Sequence, residues 1–372
     1  MGLISAEGLE RLKHHKYQTT GYTVLDTYVM NHFWEAFVKL IPLWMAPNLV
    51  TLIGFLCILS SYVLMTFYDV TYSQQLPSSV LLYAAFTHFA YQTLDACDGK
   101  HARRTGNTSP LGMLMDHGCD SLTSTILILS ITQALGLGHD FNLRMLAFGI
   151  WTGFYVATWE EYHTHWCRTQ VFNFGVTENQ IFAMWLLVMA ALRGLPFYEQ
   201  AIDFSSFSLE LRVVFLYGTV SLSVATQVLM VYSCITAAND KVRAVSRLLP
   251  IVMLMGALYL MSHYTEVYHS HTTLCMVACA FYFSLCVGRL ILASITETDY
   301  SPFQWEGLFF YVFIANCAYF RTVYTDLLPE LSALALLLLA IACAYFVFAY
   351  RIVTELTTAL NIGFLSIKPK AA

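Results

Sequence analysis

The sequence predicts an all-α, polytopic integral membrane protein of about ten transmembrane helices with both termini cytosolic. Three observations carry this expectation. Hydrophobic residues make up 58% of the 372 and the mean hydropathy is +0.59, above the near-half apolar content of soluble domains. Charged residues fall to 12%. Ten apolar runs follow one another at 49–67, 80–97, 111–137, 144–162, 179–196, 211–236, 247–262, 272–296, 305–324 and 331–352, each near the roughly 20 residues that cross a hydrocarbon core as a helix. Nothing of soluble-domain size is left over. The expected organisation is a cytosolic or interfacial segment 1–45, a transmembrane domain 46–352 and a cytosolic tail 353–372.

In chain order, the opening GLISAEGLERLKHHKY lacks the basic start, apolar run and small-residue cleavage site of a signal peptide, so the first span is expected to direct insertion. HFWEAFVKLIPLWM at 32–45 carries a helical apolar stripe suited to the membrane interface. Pro47 marks a chain reversal or a first helical turn, and Asn48 is expected to cap the span that follows. The second span runs through Thr87, His88 and Gln92 to Asp95. Lys100, His101, Arg103 and Arg104 then read as a basic loop before the third span begins near Leu111.

A short loop rich in Lys and Arg belongs in the cytosol. With alternating spans, 163–178, 237–247, 297–304 and the tail share that side, which holds Lys241, Arg243 and Arg247; the opposite loops 66–79, 138–143, 197–210, 263–271 and 325–330 contain no Lys or Arg. Most of the ten cysteines lie inside apolar runs and none forms a CxxC pair, so they read as small apolar residues. The last three spans, poor in polar groups, read as packing or subunit-contact helices.

The chemistry concentrates in the stretch from Asp95 to Asp120, which holds the carboxylates Asp95, Asp98, Asp116 and Asp120 between two apolar runs. Spacings of three and four place each pair on one helix face, one turn apart. Two such pairs facing each other repel strongly unless divalent cations sit between them, and bare carboxylates near a membrane core are expensive. A carboxylate metal site is the first reading.

Written as a pattern, the stretch is D-x2-D-G-x2-A-R-x8-G-x3-D-x3-D, filled by Asp95, Asp98, Gly99, Ala102, Arg103, Gly112, Asp116 and Asp120. At every fixed position it resembles the signature of the CDP-alcohol phosphotransferase family. IPLWMAPN at 41–48, DGKHARRT at 98–105 and DHGCDS at 116–121 look like the eukaryotic choline and ethanolamine phosphotransferase branch, with the resemblance densest from Gly8 to about Glu178. The resemblance implies that a diacylglycerol hydroxyl attacks the pyrophosphate of CDP-choline or CDP-ethanolamine, giving the phospholipid and CMP. It implies two ions, Mg2+ or Mn2+, held by Asp95, Asp98, Asp116 and Asp120. It also places Asn48 near the nucleotide and includes Ala102 with the substrate-binding positions. Arg103 suits phosphate oxygens as a planar bidentate donor, and Gly99 and Gly112 let the backbone approach nucleotide and metal. A homodimer in the endoplasmic reticulum or Golgi membrane, with the site facing the cytosol, membrane lipids as neighbours and no nucleic-acid partner, completes the expectation.

Two residues compete to take the proton of the attacking hydroxyl. The resemblance favours Asp120. His117, three residues away with an unperturbed pKa of about 6.5, is better placed for general base work, leaving Asp120 as a metal ligand. Glu161 and Glu178 are candidates to orient a histidine or accept the donor's ammonium, against the plainer reading, shared with Glu160, of helix caps at the interface. Tyr91, Trp159, Tyr162 and Trp166 lie near the expected mouth of the site, where aromatic faces suit an ammonium, although with aromatics at 15% of the chain such neighbours are expected by chance. His163 with His165 and His269 with His271 lack a nearby third ligand and read as surface histidines.

Two rival functions remain: a phosphatidyltransferase that uses CDP-diacylglycerol as donor and a soluble alcohol as acceptor, and a cation transporter. Transport favours acids near the bilayer midplane on broken helices, whereas these cluster beside a basic stretch.

Overall fold

A chain this apolar must close its backbone hydrogen bonds internally, and a helix does so within each segment. The computed structural model describes residues 2–14, 21–171, 173–320 and 328–367 and is mostly helical. The helices are α1 (Ala6–His14), α2 (Asn31–Phe37), α3 (Pro47–Tyr68), α4 (Ser78–Thr105), α5 (Pro110–Ala134), α6 (Phe141–Thr164), α7 (Val176–Arg193), α8 (Leu195–Tyr198), α9 (Leu211–Ala237), α10 (Lys241–Ser246), α11 (Leu249–Tyr264), α12 (Glu266–Ser270), α13 (Thr272–Ile295), α14 (Leu308–Ala315) and α15 (Glu330–Ala359). Among the described residues the only sheets are two antiparallel hairpins, β1–β2 (Gln170–Val171 with Phe174–Gly175) and β3–β4 (Ala201–Phe204 with Phe207–Glu210).

Each of the ten apolar runs falls on a helix, the run from 305 as far as Phe320. Among the described residues, five stretches are long and apolar enough to cross a membrane: Pro47–Tyr68, Leu211–Ala237, Lys241–Tyr264, Thr272–Ile295 and Glu330–Ala359. Helices α4, α5, α6 and α7 are 28, 25, 24 and 18 residues long. Polar and charged side chains lower their hydropathy, and they build the site described below.

Burial separates centre from periphery. In α13, 78% of the apolar stretch is buried, against 17% in α9 and 22% in α15. Helix α13 packs against α5, α6, α11 and α15, and Phe283 on it stacks on Trp151 of α6. The α6–α9 contact depends on small residues: a methyl at Gly153 would stand 3.0 Å from Ser223 Oγ, and one at Gly149 3.3 Å from Val220. Ser223 Oγ donates to the Gly149 carbonyl at 2.6 Å. Close backbone approach of this kind is how helices associate where lipid offers no hydrophobic drive.

Two sequence expectations are corrected. DGKHARRT is not a loop: α4 continues through it to Thr105 and stops at Gly106, whose φ of +66° makes a left-handed cap. The basic residues stay helical because carbonyls of the 31–46 segment satisfy them, and Arg103 and Arg104 suit the negative end of the helix. Asn48 is not a cap. Pro47 occupies the first position of α3 and Ala46 precedes it, which puts Asn48 inside the first turn.

The segment before α3 forms a collar around the end of α4. Met30, Trp34, Val38 and Ile41 pack with Val50 and Cys97 in a small core of their own. Arg104 donates to the carbonyls of Val38 (2.8 Å) and Ile41 (2.9 Å), and Lys100 to Asn31 Oδ1 (3.1 Å). His101 is fully buried, with Nε2 donating to the Met45 carbonyl at 2.9 Å.

Beyond α13, partial burial of the Asp299 carboxyl is outweighed by Arg247 and Arg243, at 2.6 and 2.5 Å, which hold it below the usual carboxylate range. Deeper in, Arg289 donates to Glu306 at 2.5 and 2.9 Å and to Gln304 at 2.5 Å, and Glu306 is almost wholly buried. Removing one partner of a buried pair costs about 3–5 kcal/mol, because the other is left uncompensated. Glu306→Ala is therefore expected to lower the apparent melting temperature of the full-length protein in detergent. The double change Arg289→Met with Glu306→Leu is expected to recover most of that loss, and an unchanged melting curve for Glu306→Ala would show the pair to be idle.

Candidate active site

The site is built on the turn between α4 and α5. Gly106 ends α4 and Ser109 begins α5, its hydroxyl accepting the Gly112 N–H at 3.1 Å, with Pro110 in the first helical position. Only 106–109 separate the two helices, so the acids near the end of one meet those near the start of the next. Carboxylate oxygens of Asp95, Asp116 and Asp120 lie within 4.8 Å of one another. Asp98, the fourth acid, is turned toward α3, where it accepts the Thr51 hydroxyl. Asp120 accepts the Tyr91 hydroxyl.

At an effective dielectric of about 20, two carboxylates about 4 Å apart repel by roughly 4 kcal/mol. Among the described residues no lysine or arginine forms an ion pair with Asp95, Asp116 or Asp120. One oxygen of Asp95 is buried without a hydrogen-bond partner. A set of hard oxygen donors with an orphaned buried oxygen fits a hard divalent cation, so these residues fit the metal that the sequence leads one to expect.

The basic residues beside the acids have separate tasks. Lys100, His101 and Arg104 are committed to the collar. Arg103 is exposed and makes no hydrogen bond or ion pair with any described residue. Its Nη1 would stand 3.7 Å from a methyl placed on Gly99. A methyl on Gly112 would be 3.6 Å from Asn48 Oδ1 and Ser109 Oγ. Both are ordinary contacts, so the fold has room for alanine at each glycine. Asn48 is thereby beside Gly112, and its amide donates to the Phe364 carbonyl at 3.0 Å. Ala102 is nearly buried, and its carbonyl accepts Asn107 N–H at 2.8 Å, closing the end of α4.

His117 lies next to the acids and toward α6. Its Nδ1 donates to the Met113 carbonyl at 3.0 Å and is 3.7 Å from Asp116 Oδ2. A ring nitrogen of His117, a carboxylate oxygen of Glu161 and the Cys167 sulfur lie within 4.8 Å of one another, and the thiol contacts both side chains. Glu161 is thus brought to His117. Its neighbour Glu160 forms a bidentate pair with Arg168 at 2.9 and 2.8 Å. Glu178 is outside this group and caps its own helix, accepting the Gly175 N–H at 2.9 Å.

The four aromatics do not assemble into a cage. Tyr91 holds Asp120, Trp159 donates from a fully buried position to the Ala244 carbonyl at 2.9 Å, Tyr162 lies under Arg247, and Trp166 is exposed. Thr51, the Tyr91 hydroxyl and Cys167 are contributors that sequence reasoning missed. Thr51 is one turn from Asn48 and Tyr91 one turn before Asp95, a spacing that helical geometry makes visible. Cys167 had no such signal; the left-handed turn at His165, φ +61°, carries the chain back to His117.

A family model described as CDP-alcohol phosphatidyltransferase matches residues 44–285, which contain every site residue from Asn48 to Glu178. Choline/ethanolaminephosphotransferase 1 of Arabidopsis thaliana is 31% identical over 409 aligned residues, covering 100% of both chains. Choline/ethanolaminephosphotransferase 1 of Saccharomyces cerevisiae is 37% identical over 186 residues, 50% of this chain and 47% of the yeast protein. Cholinephosphotransferase 1 of the same yeast is 43% identical over 162 residues, 44% of this chain and 41% of that one. With a membrane-type helical fold, paired carboxylates at the signature spacing and a full-length relative of this kind, the chain belongs to the CDP-alcohol phosphatidyltransferase family.

Proposed function

We propose that the protein transfers phosphocholine or phosphoethanolamine from the CDP-alcohol to the hydroxyl of diacylglycerol. The observation that carries this reading is the convergence of Asp95, Asp116 and Asp120 beside an uncommitted Arg103 and two glycines where a methyl would make only ordinary contacts. The acceptor oxygen bonds to the phosphorus that bears the amino alcohol, the pyrophosphate P–O bond breaks, CMP leaves, and the hydroxyl proton passes to a base. Two Mg2+ or Mn2+ ions bound by Asp95, Asp98, Asp116 and Asp120 would supply neutralisation of the pyrophosphate oxygens. Asp98, which accepts the Thr51 hydroxyl through one oxygen, would join the set from the α3 side.

The chain's own groups do the rest. Arg103 binds and orients phosphate oxygens, Gly99 and Gly112 admit the nucleotide to the backbone, and Asn48 flanks it. His117 takes the proton. The Nδ1 hydrogen bond to Met113 selects the tautomer whose Nε2 bears the basic lone pair, and Glu161 is close enough to stabilise the imidazolium. Tyr91 fixes Asp120. Glu178, as the cap of α7, supports the wall of the site. The charge pattern of the loops supports ten spans within 46–352, with the nucleotide entering from the cytosol and the lipid acceptor from the bilayer.

Labelled CDP-choline and CDP-ethanolamine, each incubated with diacylglycerol and Mg2+ or Mn2+, are expected to release CMP and yield labelled phospholipid. Release only from CDP-diacylglycerol with a free alcohol would replace this reading by the phosphatidyltransferase one.

His117→Ala is expected to lower kcat by about 100-fold or more with little change in the metal concentration needed, whereas Asp120→Asn raises that requirement. Near-normal turnover in His117→Ala would transfer the base role to Asp120. Gly99→Ala is expected to leave the melting temperature unchanged or raised, since alanine is favoured over glycine in a helix by about 1 kcal/mol, while KM for the CDP-alcohol rises. Wild-type KM in this variant would show that the nucleotide does not pass there.

A further inference from the structure

At the far end of α5 from the acids, a second group of metal-type ligands comes together. Along α5, Asp116 and Ala134 are separated by about 27 Å at a rise of about 1.5 Å per residue, and the 135–140 connection that follows meets α12. There one ligand atom from each of His139, Asp140 and His269 lies within 4.8 Å of the others. His269 Nδ1 is 3.3 Å from Asp140 Oδ1. Two donors each about 2.0–2.1 Å from one tetrahedral ion are separated by about this distance. The imidazoles of His139 and His269 stand edge to face with centroids 5.3 Å apart.

The orientation of His269 points to a ligand. Its Nε2 lies 3.0 Å from the Ser262 carbonyl. A carbonyl only accepts, so the ring hydrogen is spent there, and in the neutral ring the Nδ1 lone pair faces a carboxylate oxygen. Two acceptors in that relation require a proton or a cation between them. An outer N–H on a backbone carbonyl is also the arrangement that fixes metal-bound histidines. The scaffold is rigid: Tyr268 is fully buried and its hydroxyl donates to the His139 carbonyl at 2.8 Å, pinning the loop to α12. Arg144 Nη1, at 4.0 Å from the same Asp140 oxygen, is beyond hydrogen-bond distance.

We propose that His139, Asp140 and His269 bind a divalent transition ion of the zinc class, separate from the acid cluster. Two imidazole nitrogens and a carboxylate oxygen suit such an ion better than Mg2+, and the partial exposure of all three residues leaves a fourth position for water. The ion would tie the α5–α6 connection to the α11–α13 connection.

The test uses full-length protein in detergent, stripped with a chelator and held in excess Mg2+ to occupy the hard oxygen site. A Cys167→Ala background removes the other histidine-containing group, His117 with Glu161 and Cys167. Titration with Co2+ is expected to give the visible absorption of a four-coordinate site, saturating near one equivalent. Zn2+ should displace it and raise the apparent melting temperature. His139→Ala with His269→Ala should abolish both responses while keeping the metal-free melting temperature. Should that double variant fail to fold, X-ray absorption at the zinc edge of the parent is expected to show scattering from two imidazoles. Absence of saturable Co2+ or Zn2+ binding, equal binding by a folded double variant, or zinc without imidazole scattering would overturn the proposal.

Discussion

Three carboxylates from two consecutive helices, gathered in the interior of an apolar protein, are the condition around which the other elements are arranged. Asp95, Asp116 and Asp120 are half-buried and lose part of the water that would separate their charges. Their neighbours can relieve only part of the cost. Tyr91 gives a hydrogen bond to Asp120, and Thr51 draws Asp98 toward α3. The positively charged residues one turn away do not neutralise the group, because two of them are fastened to the collar and the third is directed past Gly99. Charge is thus left uncompensated by the chain itself, which is the state a binding site for cations and an anionic donor needs.

The surrounding helices can be understood as supports for this arrangement. Helices α3, α4, α5 and α7 pack together around the acids, while the apolar α13 forms the interior on which α5 and α6 rest. Helices α9 and α15 expose most of their apolar surface and hold little polar chemistry. The division is physical: segments that bear charged groups are shielded by other segments, and segments facing lipid can be uniformly apolar.

The parts of this design that depend on local spacing were legible in the sequence. Residues three and four apart share a helix face, so the acid pairs, the order of the apolar helices and the separation of Gly99 and Gly112 follow from the order of residues alone. The parts that depend on tertiary partners do not. DGKHARRT looks like a loop by charge, and it is helical because carbonyls from residues 31–46 meet Lys100, His101 and Arg104. Glu178 and Glu161 are alike on paper; one closes its own helix and the other reaches His117, a difference set by the packing of α6 against α5. His269 pairs in the sequence with His271, two residues on, whereas its neighbours in space, His139 and Asp140, come from more than a hundred residues earlier.

The contact between Asn48 and Phe364 joins positions 316 residues apart, and the N–H groups of Leu3 and Ile4 close on Glu355 in the same manner. A chain emerging from the ribosome can assemble the acid pair of α4 and α5 early. It cannot complete the surroundings of Asn48 until almost all of it has been made. The order of synthesis therefore places the completion of the Asn48 surroundings after most helices have entered the membrane, so a nascent chain carries its acid cluster for some time before that long-range contact is made.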